Sequence, residues 1–507
     1  MYTPSRRDFR EYARSGRRVP VAACVPLETT VDELFESVRF SSPHILLESC
    51  RIHPVTGRYS ILVGEPKMVR TFQGRALNFV QQILQANSAV AIKGFPPFVG
   101  GAVGFVGYDA YQRRTDDIRL PDVGFLFCDE ALVADHLEKK LWIIACSETA
   151  SDVDRAYDEA VGRVEALLKR VLRAAQPFML REPQHERQPF ALSLAPPERR
   201  TDPPILVAEK GGIQSTHTQT DFENMVRQAK EFIARGNIYQ VNLSQRFTVP
   251  SPGSSWDLYC RLKKINPSPF AVYADFSPLE RDGSANIFGG RFQVVSASPE
   301  RLFRTQGGTV ETRPIAGTRR RGETAAETVS LRKELLLNAK ERAEHLMLVD
   351  LERNDLGRIC RYGSVQVDRL MELEEYSHVI HIVSNIRGQL RPEPSLSDIF
   401  SALFPGGTIT GCPKIRSMEI IEALEPVRRH LYTGSMGYIS YSGRMDFNIL
   451  IRTAFVVDDC VYVQTGAGIV ADSDPGREYD ETVQKARALL EALHIQQPIG
   501  EPLVAAS

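Results

Sequence analysis

The sequence lacks several features that define whole classes of protein. Its 62 Lys and Arg residues almost cancel its 63 Asp and Glu residues, so the formal net charge is −1, and no long basic stripe occurs. Proteins that bind nucleic acid by neutralising phosphates usually carry a basic excess. No apolar run approaches the roughly 20 residues of a membrane-spanning helix, and residues 1–18 are polar and Arg-rich, unlike a secretory signal. These absences predict a cytoplasmic protein with no nucleic-acid and no membrane partner.

The sequence also lacks the C-x-x-C spacing, because none of its eight cysteines forms such a pair. They are scattered through apolar or mixed stretches, which argues against a zinc site or a disulfide framework and favours a reducing compartment. Hydrophobic residues make up 43% and charged residues 25% of the chain, as is usual for globular proteins. A chain of this length can bury a core that supports an enzyme.

The chain divides into four regions by composition. Residues 1–175 mix short apolar runs, typical of strands, with an amphipathic helix predicted from Asp152 to Leu172. Residues 176–217 are rich in proline and charge and predict a linker. Residues 218–493 carry the strongest patterns, and 494–507 form a tail.

Two helix starts and one run of strands are predicted in the third region. Thr220 followed by Glu223 is a capping-box pattern at the start of a helix. Asp474 followed by Pro475 combines a cap with proline at the first helical position. Between them, 432–470 alternates short apolar runs with turn residues and predicts an antiparallel run.

Paired carboxylates are the first candidates for chemistry. Glu341 and Glu344 lie one helical turn apart, and Glu478 and Glu481 repeat that spacing, so each pair shares a helix face. Carboxylates that meet across a cleft repel one another unless a cation lies between them, and Mg²⁺ prefers such oxygen ligands. On spacing alone, two solvated helix faces balanced by nearby Lys and Arg residues are the commoner outcome.

A glycine-rich stretch, Gly466-Ala467-Gly468, follows a predicted strand. It matches the loose G-x-G-x-x-G/A pattern of dinucleotide sites, which keeps an oxidoreductase as an alternative. The glycines do not open the next helix directly, because residues 472–475 intervene. A broader interpretation is that backbone N–H groups in this stretch bind an anion such as a carboxylate.

Several single residues could take part in acid-base or anion chemistry. Arg452 is predicted to lie in a strand spanning 449–456, where it either faces solvent or reaches an anion. His378 and His381 flank an apolar pair, and a buried structural histidine is the more common outcome for either. Glu300 follows an apolar strand, and a carboxyl group held there could act as a general acid with a raised pKa.

In chain order, six segments resemble the chorismate-utilising enzymes. They are IYQVNLSQRF (238–247), SPER (298–301), RPIAGTR (313–319), EHLMLVDLERNDL (344–356), GTITGCPK (407–414) and QTGAGIVADSDPGREYDE (464–481). In the N-terminal region, LLES (46–49) and GGAVGF (100–105) resemble the same family. The resemblance implies an α+β fold, large and two-lobed, with antiparallel sheets forming the core and helices outside.

The resemblance also implies roles for single residues. Glu344 and Glu481 match the family's Mg²⁺ ligands, with Glu341 and Glu478 as their neighbours, and Glu300 matches the proposed general acid for the leaving 4-hydroxyl of chorismate. The positions that match catalytic residues are Glu300, His381, Gln240 and Lys485, of which His381 is linked to pyruvate elimination. The positions that match the chorismate site are Gly317, Thr318, Tyr438, Arg452, Gly466, Ala467 and Gly468.

Two positions bear on the activity within the family. Members that add water carry a lysine base where this chain has Gln240, which favours ammonia as the nucleophile. Many members that make 4-amino-4-deoxychorismate carry a lysine in place of Ala316, so alanine favours amination at C2 and pyruvate elimination to anthranilate, the first step of tryptophan biosynthesis. By contrast, Tyr239, Val241 and Asn242 resemble the members that make 4-amino-4-deoxychorismate. A non-catalytic relative that only binds chorismate is a further alternative.

The resemblance extends to partners and to regulation. No stretch around the cysteines resembles a G-x-C-x-G nucleophile turn, so ammonia would come from a separate glutamine amidotransferase subunit, within a heterotetramer. The resemblance further implies tryptophan as a feedback inhibitor. Its pocket would be lined by Glu48, Ser49, Arg58, Pro269, Phe270 and Ala271.

Overall fold

The structure is a computed structural model. It describes residues 2–38, 40–74, 76–111, 118, 120–149, 152–175, 213–251, 253–277, 290–375 and 379–493. Most of the predicted linker, the predicted tail and His378 lie outside the described residues.

The strands are short and distributed over the whole described chain. They are β1 (Tyr2–Thr3), β2 (Val19–Pro26), β3 (His44–Glu48), β4 (Tyr59–Gly64), β5 (Met68–Phe72), β6 (Gly101–Val106), β7 (Val123–Cys128), β8 (Glu130–Asp135), β9 (Lys140–Ser147), β10 (Gln214–Ser215), β11 (Gln240–Pro250), β12 (Phe270–Asp275), β13 (Phe292–Ser298), β14 (Arg301–Gln306), β15 (Thr309–Thr312), β16 (Ile315–Arg320), β17 (Gln366–Glu375), β18 (Val379–Gln389), β19 (Gly411–Cys412), β20 (Ser435–Ser440), β21 (Met445–Asn448), β22 (Thr453–Val457) and β23 (Cys460–Ile469).

The helices lie between these strands. They are α1 (Arg6–Ala13), α2 (Val31–Val38), α3 (Leu77–Ala86), α4 (Val153–Ala175), α5 (Gln219–Ala234), α6 (Ser255–Ile265), α7 (Ala325–Leu337), α8 (Ala339–Gly357), α9 (Leu396–Leu403), α10 (Lys414–Leu424) and α11 (Pro475–Ala492). None of the helices in the described ranges is both long and apolar enough to cross a membrane.

Two antiparallel sheets form the centre of the molecule. The larger one has thirteen strands in the order β1-β2-β9-β8-β4-β3-β12-β13-β22-β23-β11-β10, with β19 paired to β11. The smaller one has ten strands in the order β16-β18-β15-β14-β21-β20-β6-β7-β5, with β17 paired to β18. The predicted α+β class with antiparallel sheets at the core is confirmed. Strands from both ends of the chain enter both sheets, which joins the N-terminal and C-terminal regions.

The two sheets pack face to face, with helices on their outer faces. One apolar cluster lies between them and joins side chains such as Val63 and Val294 of the large sheet to Phe105 and Leu126 of the small sheet. A second cluster packs α2, α4, α6 and α11 on the large sheet, and a third packs α3, α8 and α9 on the small one. Burial of apolar surface on both faces of each sheet drives this layered arrangement.

Local signals placed several elements correctly. The cap at Asp474, with proline at the first turn, begins α11 as predicted. The capping box of α5 is formed by Thr218 and Asp221, two residues earlier than the predicted pair Thr220 and Glu223. The antiparallel run is present as β20 to β23.

Candidate active site

The glycine stretch lies inside β23, where it lets other groups approach the backbone closely. A Cβ atom at Gly466 would lie 2.5 Å from the Oδ1 atom of Asn242 and 2.7 Å from the hydroxyl of Tyr432. A Cβ atom at Gly468 would lie 2.8 Å from the Nε2 atom of Gln240. Both glycines therefore allow polar side chains of β11 to lie directly against one face of β23. The side chain of Ala467 points the other way, into an apolar cluster.

This geometry contradicts the dinucleotide alternative. Gly466 and Gly468 lie within a strand that is antiparallel to both of its neighbours, β11 and β22. A dinucleotide fingerprint needs its glycines in a turn between a strand and the N-terminus of a helix, in a parallel βαβ unit. That arrangement is absent here, because the glycines are followed by the rest of β23 and by a separate cap at Asp474.

The tyrosine beside the glycine strand is Tyr432, whereas Tyr438 lies elsewhere. Tyr438 is in β20, with 6% of its surface exposed, and its ring packs edge-on against Phe98. It lines a separate cavity described below. Tyr438 therefore lies apart from Gly466, with which it was predicted to share the chorismate site, and its role there stays a prediction. Tyr432 precedes β20, and its hydroxyl lies against Gly466 of β23 instead.

The two carboxylate pairs meet where α8 and α11 approach each other. Burial raises the pKa of Glu344, with the neighbouring carboxylates of Glu341, Glu478 and Glu481 adding to the rise. Burial likewise raises the pKa of Glu478, and Glu481 contributes repulsion. The pairs are thus not two independent solvated faces, since their charges act on one another.

A lysine joins this carboxylate set to the glycine strand. The Nζ atom of Lys485 lies 2.7 Å from Glu481 and donates a hydrogen bond of 2.9 Å to the carbonyl oxygen of Gly466. Lys340 lies 3.8 Å from Glu344 at the outer side. Arg319 forms a third ion pair, 3.0 Å from Glu341, so three cations leave the four carboxylates with one negative charge in excess.

That excess fits a divalent cation. Mg²⁺ is usually held by one or two carboxylates, with substrate oxygens and water completing its shell. Over the ranges that the structure describes, no group of three or more His, Cys, Asp or Glu side chains is arranged to hold a metal by itself. A pair such as Glu344 and Glu481, with substrate oxygens as the remaining ligands, fits this requirement. A cation there would relieve the repulsion that adds to burial in raising the pKa values of Glu344 and Glu478.

Gly317 brings β16 against the carboxylate set. Its φ of +70° is in the left-handed region, and a Cβ atom there would lie 2.8 Å from the Oε2 atom of Glu341. The next residue, Thr318, forms a hydrogen bond of 2.9 Å between its Oγ1 atom and the Nδ1 atom of His381 on β18. Burial lowers the pKa of His381 to about 4, helped by the positive charges of Arg452 and Arg51. His381 is therefore neutral near pH 7.

Glu300 is a buried carboxyl group at the end of β13. Burial raises its pKa to about 7, although the hydrogen bond from Thr408 and the charge of Arg452 lower it. The Thr408 hydroxyl donates to the Oε1 atom of Glu300 over 2.8 Å, and the amide of Ile449 donates to its carbonyl oxygen over 3.0 Å. This carboxyl group is fixed in place and can carry a proton near neutral pH.

Arg452 lies in the irregular segment between β21 and β22, not in a strand as predicted. Its φ is +51°, which is uncommon for a residue with a long side chain. The side chain is accessible to solvent, yet burial lowers the pKa of its guanidinium, with repulsion from Arg51 adding and Glu300 opposing. A side chain that lines a cleft is expected to be reached by solvent and yet to be partly shielded from it, as Arg452 is. The Nη1 atom lies 3.4 Å from the Oδ1 atom of Asn266.

The structure thus links most of the predicted residues into one neighbourhood. One series of contacts and charge interactions runs from the glycine strand through Lys485 and the carboxylate set to Gly317, Thr318, His381, Arg452 and Glu300. Three neighbours were not anticipated: Tyr432, Thr408 and Asn242. The hydroxyl residues in the loop 407–414 were a usable signal for Thr408. Tyr432 had no local signal, because only packing brings it to Gly466.

The residues predicted to bind an inhibitor line a different cavity. It has a volume of about 230 Å³ and is bounded by β3, β4, β12, β14, β20 and β21. All six predicted residues line it, namely Glu48, Ser49, Arg58, Pro269, Phe270 and Ala271. Tyr438 and Arg444 line it as well.

Two charged groups of this cavity already have partners. The Glu48 carboxylate lies 3.0 Å from the Nζ atom of Lys263 and accepts a hydrogen bond from the Tyr259 hydroxyl. Arg58 is paired to Asp135 over 2.7 Å, which leaves it fixed at the rim. The cavity therefore presents oriented charges beside an apolar interior, as pockets for small polar ligands do.

Known proteins resemble this chain over nearly its whole length. The family of chorismate binding enzymes matches residues 44–491. Anthranilate synthase component 1 of Acetivibrio thermocellus is 36% identical, covering 97% of this chain and 99% of that protein. Aminodeoxychorismate synthase component 1 of Bacillus subtilis is 39% identical, covering 95% and 98%.

The fold agrees with a solved structure. Anthranilate synthase component I from Streptococcus pneumoniae TIGR4 superposes with a TM-score of 0.67 at 33% identity, covering 87% of this chain and 93% of that one. A family match over most of the chain, with relatives that align from end to end, shows that the chain belongs to the family of chorismate binding enzymes.

Proposed function

We propose that the protein aminates chorismate at C2 with ammonia and then eliminates pyruvate, giving anthranilate. The observation that carries this proposal is that a protonatable buried acid, Glu300, lies beside a cation, Arg452, in one neighbourhood with a carboxylate set that adjoins the glycine strand. An anionic ring substrate with a leaving hydroxyl suits this site, because Glu300 can protonate the hydroxyl and Arg452 can bind a substrate carboxylate. Relatives named anthranilate synthase component 1 support the choice.

The substrate would be held at both of its carboxylates. Arg452 is suited to the enolpyruvyl carboxylate, because a guanidinium binds a carboxylate bidentately. Glu344 and Glu481 would hold Mg²⁺, which when bound neutralises the ring carboxylate and assists departure of the hydroxyl as a Lewis acid. We assign Tyr432 rather than Tyr438 to the substrate, because a Cβ atom at Gly466 would lie 2.7 Å from the Tyr432 hydroxyl.

The proton transfers are assigned to two side chains. The Glu300 carboxyl group gives its proton to the leaving 4-hydroxyl, so that water leaves C4 as ammonia bonds to C2 and the two ring double bonds shift. The added nitrogen then loses a proton to solvent and becomes an amino group. Gln240 cannot deprotonate water, which leaves ammonia as the nucleophile. In the second step neutral His381 accepts the proton from C2 as the C3–O bond breaks and the ring becomes aromatic. The enolpyruvate that leaves then takes up a proton at its methylene carbon and becomes pyruvate.

Ammonia requires a source, and we assign it to a separate glutamine amidotransferase subunit in a heterotetramer. Free ammonia is the poorer substitute that allows the chain to be assayed alone. We further assign the 230 Å³ cavity to tryptophan as a feedback inhibitor. Because this cavity is separate from the carboxylate set, inhibition by tryptophan bound there would be allosteric.

The product identifies the function directly. The purified chain, supplied with chorismate, Mg²⁺ and ammonium at alkaline pH, is expected to develop anthranilate fluorescence, and omission of Mg²⁺ should prevent it. Accumulation of 4-amino-4-deoxychorismate would favour the alternative product, which the Bacillus subtilis relative and residues 239–242 support. Binding of chorismate without turnover would indicate a non-catalytic relative.

Substitution of Gly466 tests the close packing of polar groups against β23. We expect Gly466→Ala to lower kcat/KM for chorismate by about 10²-fold, because the added methyl group meets Tyr432 and Asn242 and displaces the substrate by a fraction of an ångström or more. Gly162→Ala is the control, since a Cβ atom at this helical position meets nothing within 4 Å. Normal kinetics in Gly466→Ala would remove this strand from the site.

Arg444 tests the inhibitor cavity. We expect Arg444→Ala to raise the tryptophan concentration for half-inhibition by about 10- to 100-fold, as expected for loss of a hydrogen bond to a charged group worth about 1.5–3 kcal/mol. Inhibition curves and calorimetric titration with tryptophan provide the measurement. Arg70→Ala, at an exposed arginine of β5, is the control. Equal tryptophan sensitivity in both variants would contradict the assignment of this cavity.

A further inference from the structure

A fully buried ion pair lies behind the candidate site. The side chains of Glu425 and Arg429 are each 1% exposed, and their closest atoms, Oε1 and Nη2, are 2.6 Å apart. A second contact joins the Nε atom of Arg429 to the Oε2 atom of Glu425 over 2.9 Å. Burying two charges costs desolvation that their attraction repays only when the remaining polar atoms are satisfied.

The pair is bonded to two segments of the site. The Arg429 guanidinium donates to the carbonyl oxygen of Ile409 over 3.0 Å and to that of Asn242 over 2.8 Å. The Oε1 atom of Glu425 accepts hydrogen bonds from the amide and the hydroxyl of Ser244, both over 2.8 Å. Ser244 lies opposite Gly466 in the β11–β23 register. The ion pair therefore ties β11 to the loop that contains Ile409.

The same arginine contacts residues next to both ends of the site. Ile409 follows Thr408, whose hydroxyl holds Glu300. The Arg429 guanidinium also lies over the ring of Tyr432, 5.6 Å from its centroid, and its Nη1 atom lies 3.3 Å from the Thr433 hydroxyl. The planar guanidinium of Arg429 thus contacts both the residue next to Thr408, which holds Glu300, and Tyr432 at the glycine strand.

We propose that Arg429, oriented by Glu425, is a positioning residue that sets Thr408 against Glu300 and Tyr432 against Gly466 at the same time. It contacts neither the substrate nor the reacting atoms. Its planar fork supplies hydrogen bonds in several directions at once, which the point charge of a lysine cannot reproduce. The proposal rests on the proposed function, because it assigns a role to these contacts in chorismate turnover.

Arg428 provides a matched control. It is also a buried arginine, 7% exposed, and its ion pairs go to Asp109 over 3.3 Å and to Asp122 over 2.8 Å. These partners belong to the segment between β6 and β7, not to β11 or to the loop 407–410. Replacement of either arginine therefore disturbs a buried charge pair, but only replacement of Arg429 also removes contacts with the site.

The test compares Arg429→Lys with Arg428→Lys in the full-length chain. Both variants should lose thermal stability, but only Arg429→Lys is expected to lower kcat/KM for chorismate, by about 10²-fold, the scale of a misplacement near 1 Å. It should also move the upper limb of the pH profile to higher pH. The reason is that Thr408 no longer lowers the pKa of Glu300 fully, while Arg452, which also lowers that pKa, and Glu352, whose own pKa Glu300 raises, are unchanged.

Two results would overturn the positioning role. One is an Arg429→Lys enzyme with normal kcat, KM and pH profile, and the other is an equal kinetic change in Arg428→Lys. If Arg429→Lys does not fold, Glu425→Gln replaces it, since the amide keeps one acceptor but loses the charge that orients the guanidinium. Failure of the unaltered chain to turn chorismate over would refute the proposed function separately, and calorimetric chorismate binding would then report on the placement of Tyr432.

Discussion

Replacement of Glu300 by glutamine is expected to lower kcat by about 10²- to 10⁴-fold, the usual contribution of a positioned general acid. Glutamine keeps the size and one acceptor oxygen for Thr408 but has no proton to give to the leaving hydroxyl. Steady-state kinetics with chorismate and ammonium measure the effect. Chorismate affinity should change much less, because Glu300 acts on the leaving group rather than on a substrate carboxylate.

The same residue predicts the pH dependence. Glu300 must be protonated to act, so kcat/KM at a fixed concentration of free ammonia should fall as the pH rises through about 7. The free ammonia must be held constant, since its fraction grows with pH and would hide the fall. In Glu300→Gln this limb should disappear. A profile that stays level through pH 7 in the unaltered enzyme would contradict the acid role.

Thr408 offers a matched pair of variants for this prediction. Thr408→Ser keeps the hydroxyl that donates to Glu300 over 2.8 Å, whereas Thr408→Val removes it at similar volume. Because that hydrogen bond lowers the pKa of Glu300, the valine variant should shift the limb to higher pH and the serine variant should not.

Replacement of Glu344 or of Glu481 by glutamine is expected to lower activity by about 10³-fold or more. A divalent cation contributes several kcal/mol of charge stabilisation to a transition state, and about 4 kcal/mol corresponds to a factor of 10³. Each variant removes one of the two carboxylates assigned to Mg²⁺. Activity across a Mg²⁺ titration provides the measurement, and Glu491→Gln, at an exposed position of the same helix as Glu481, is the control.

Thermal unfolding gives a second readout that needs no substrate. Burial and the neighbouring carboxylates raise the pKa of Glu344, so its charged form is disfavoured in the folded protein, and Glu344→Gln should raise Tm in the absence of Mg²⁺. With Mg²⁺ the unaltered protein should gain stability by binding it, and the two variants should gain less. Identical Mg²⁺ responses in the unaltered protein and in both variants would place the metal elsewhere.

Local sequence determined much of this protein. The spacing of Glu341 with Glu344 and of Glu478 with Glu481 fixed two helix faces, and the cap at Asp474 fixed the start of α11. The apolar alternation after Tyr432 fixed a run of antiparallel strands. Ordered motifs fixed the family, because each depends on residues close together in the chain. Such features follow from helical and strand periodicity alone.

Only the tertiary structure decided which side chains meet. Tyr432 and Tyr438 are six positions apart, yet one reaches Gly466 and the other lines a separate cavity, since a register set by strands far along the chain determines which surface each one faces. The left-handed backbone at Arg452 and the raised pKa of Glu300 likewise depend on packing from distant segments. Sequence determined which groups are present, and long-range strand pairing and burial determined their position and their protonation.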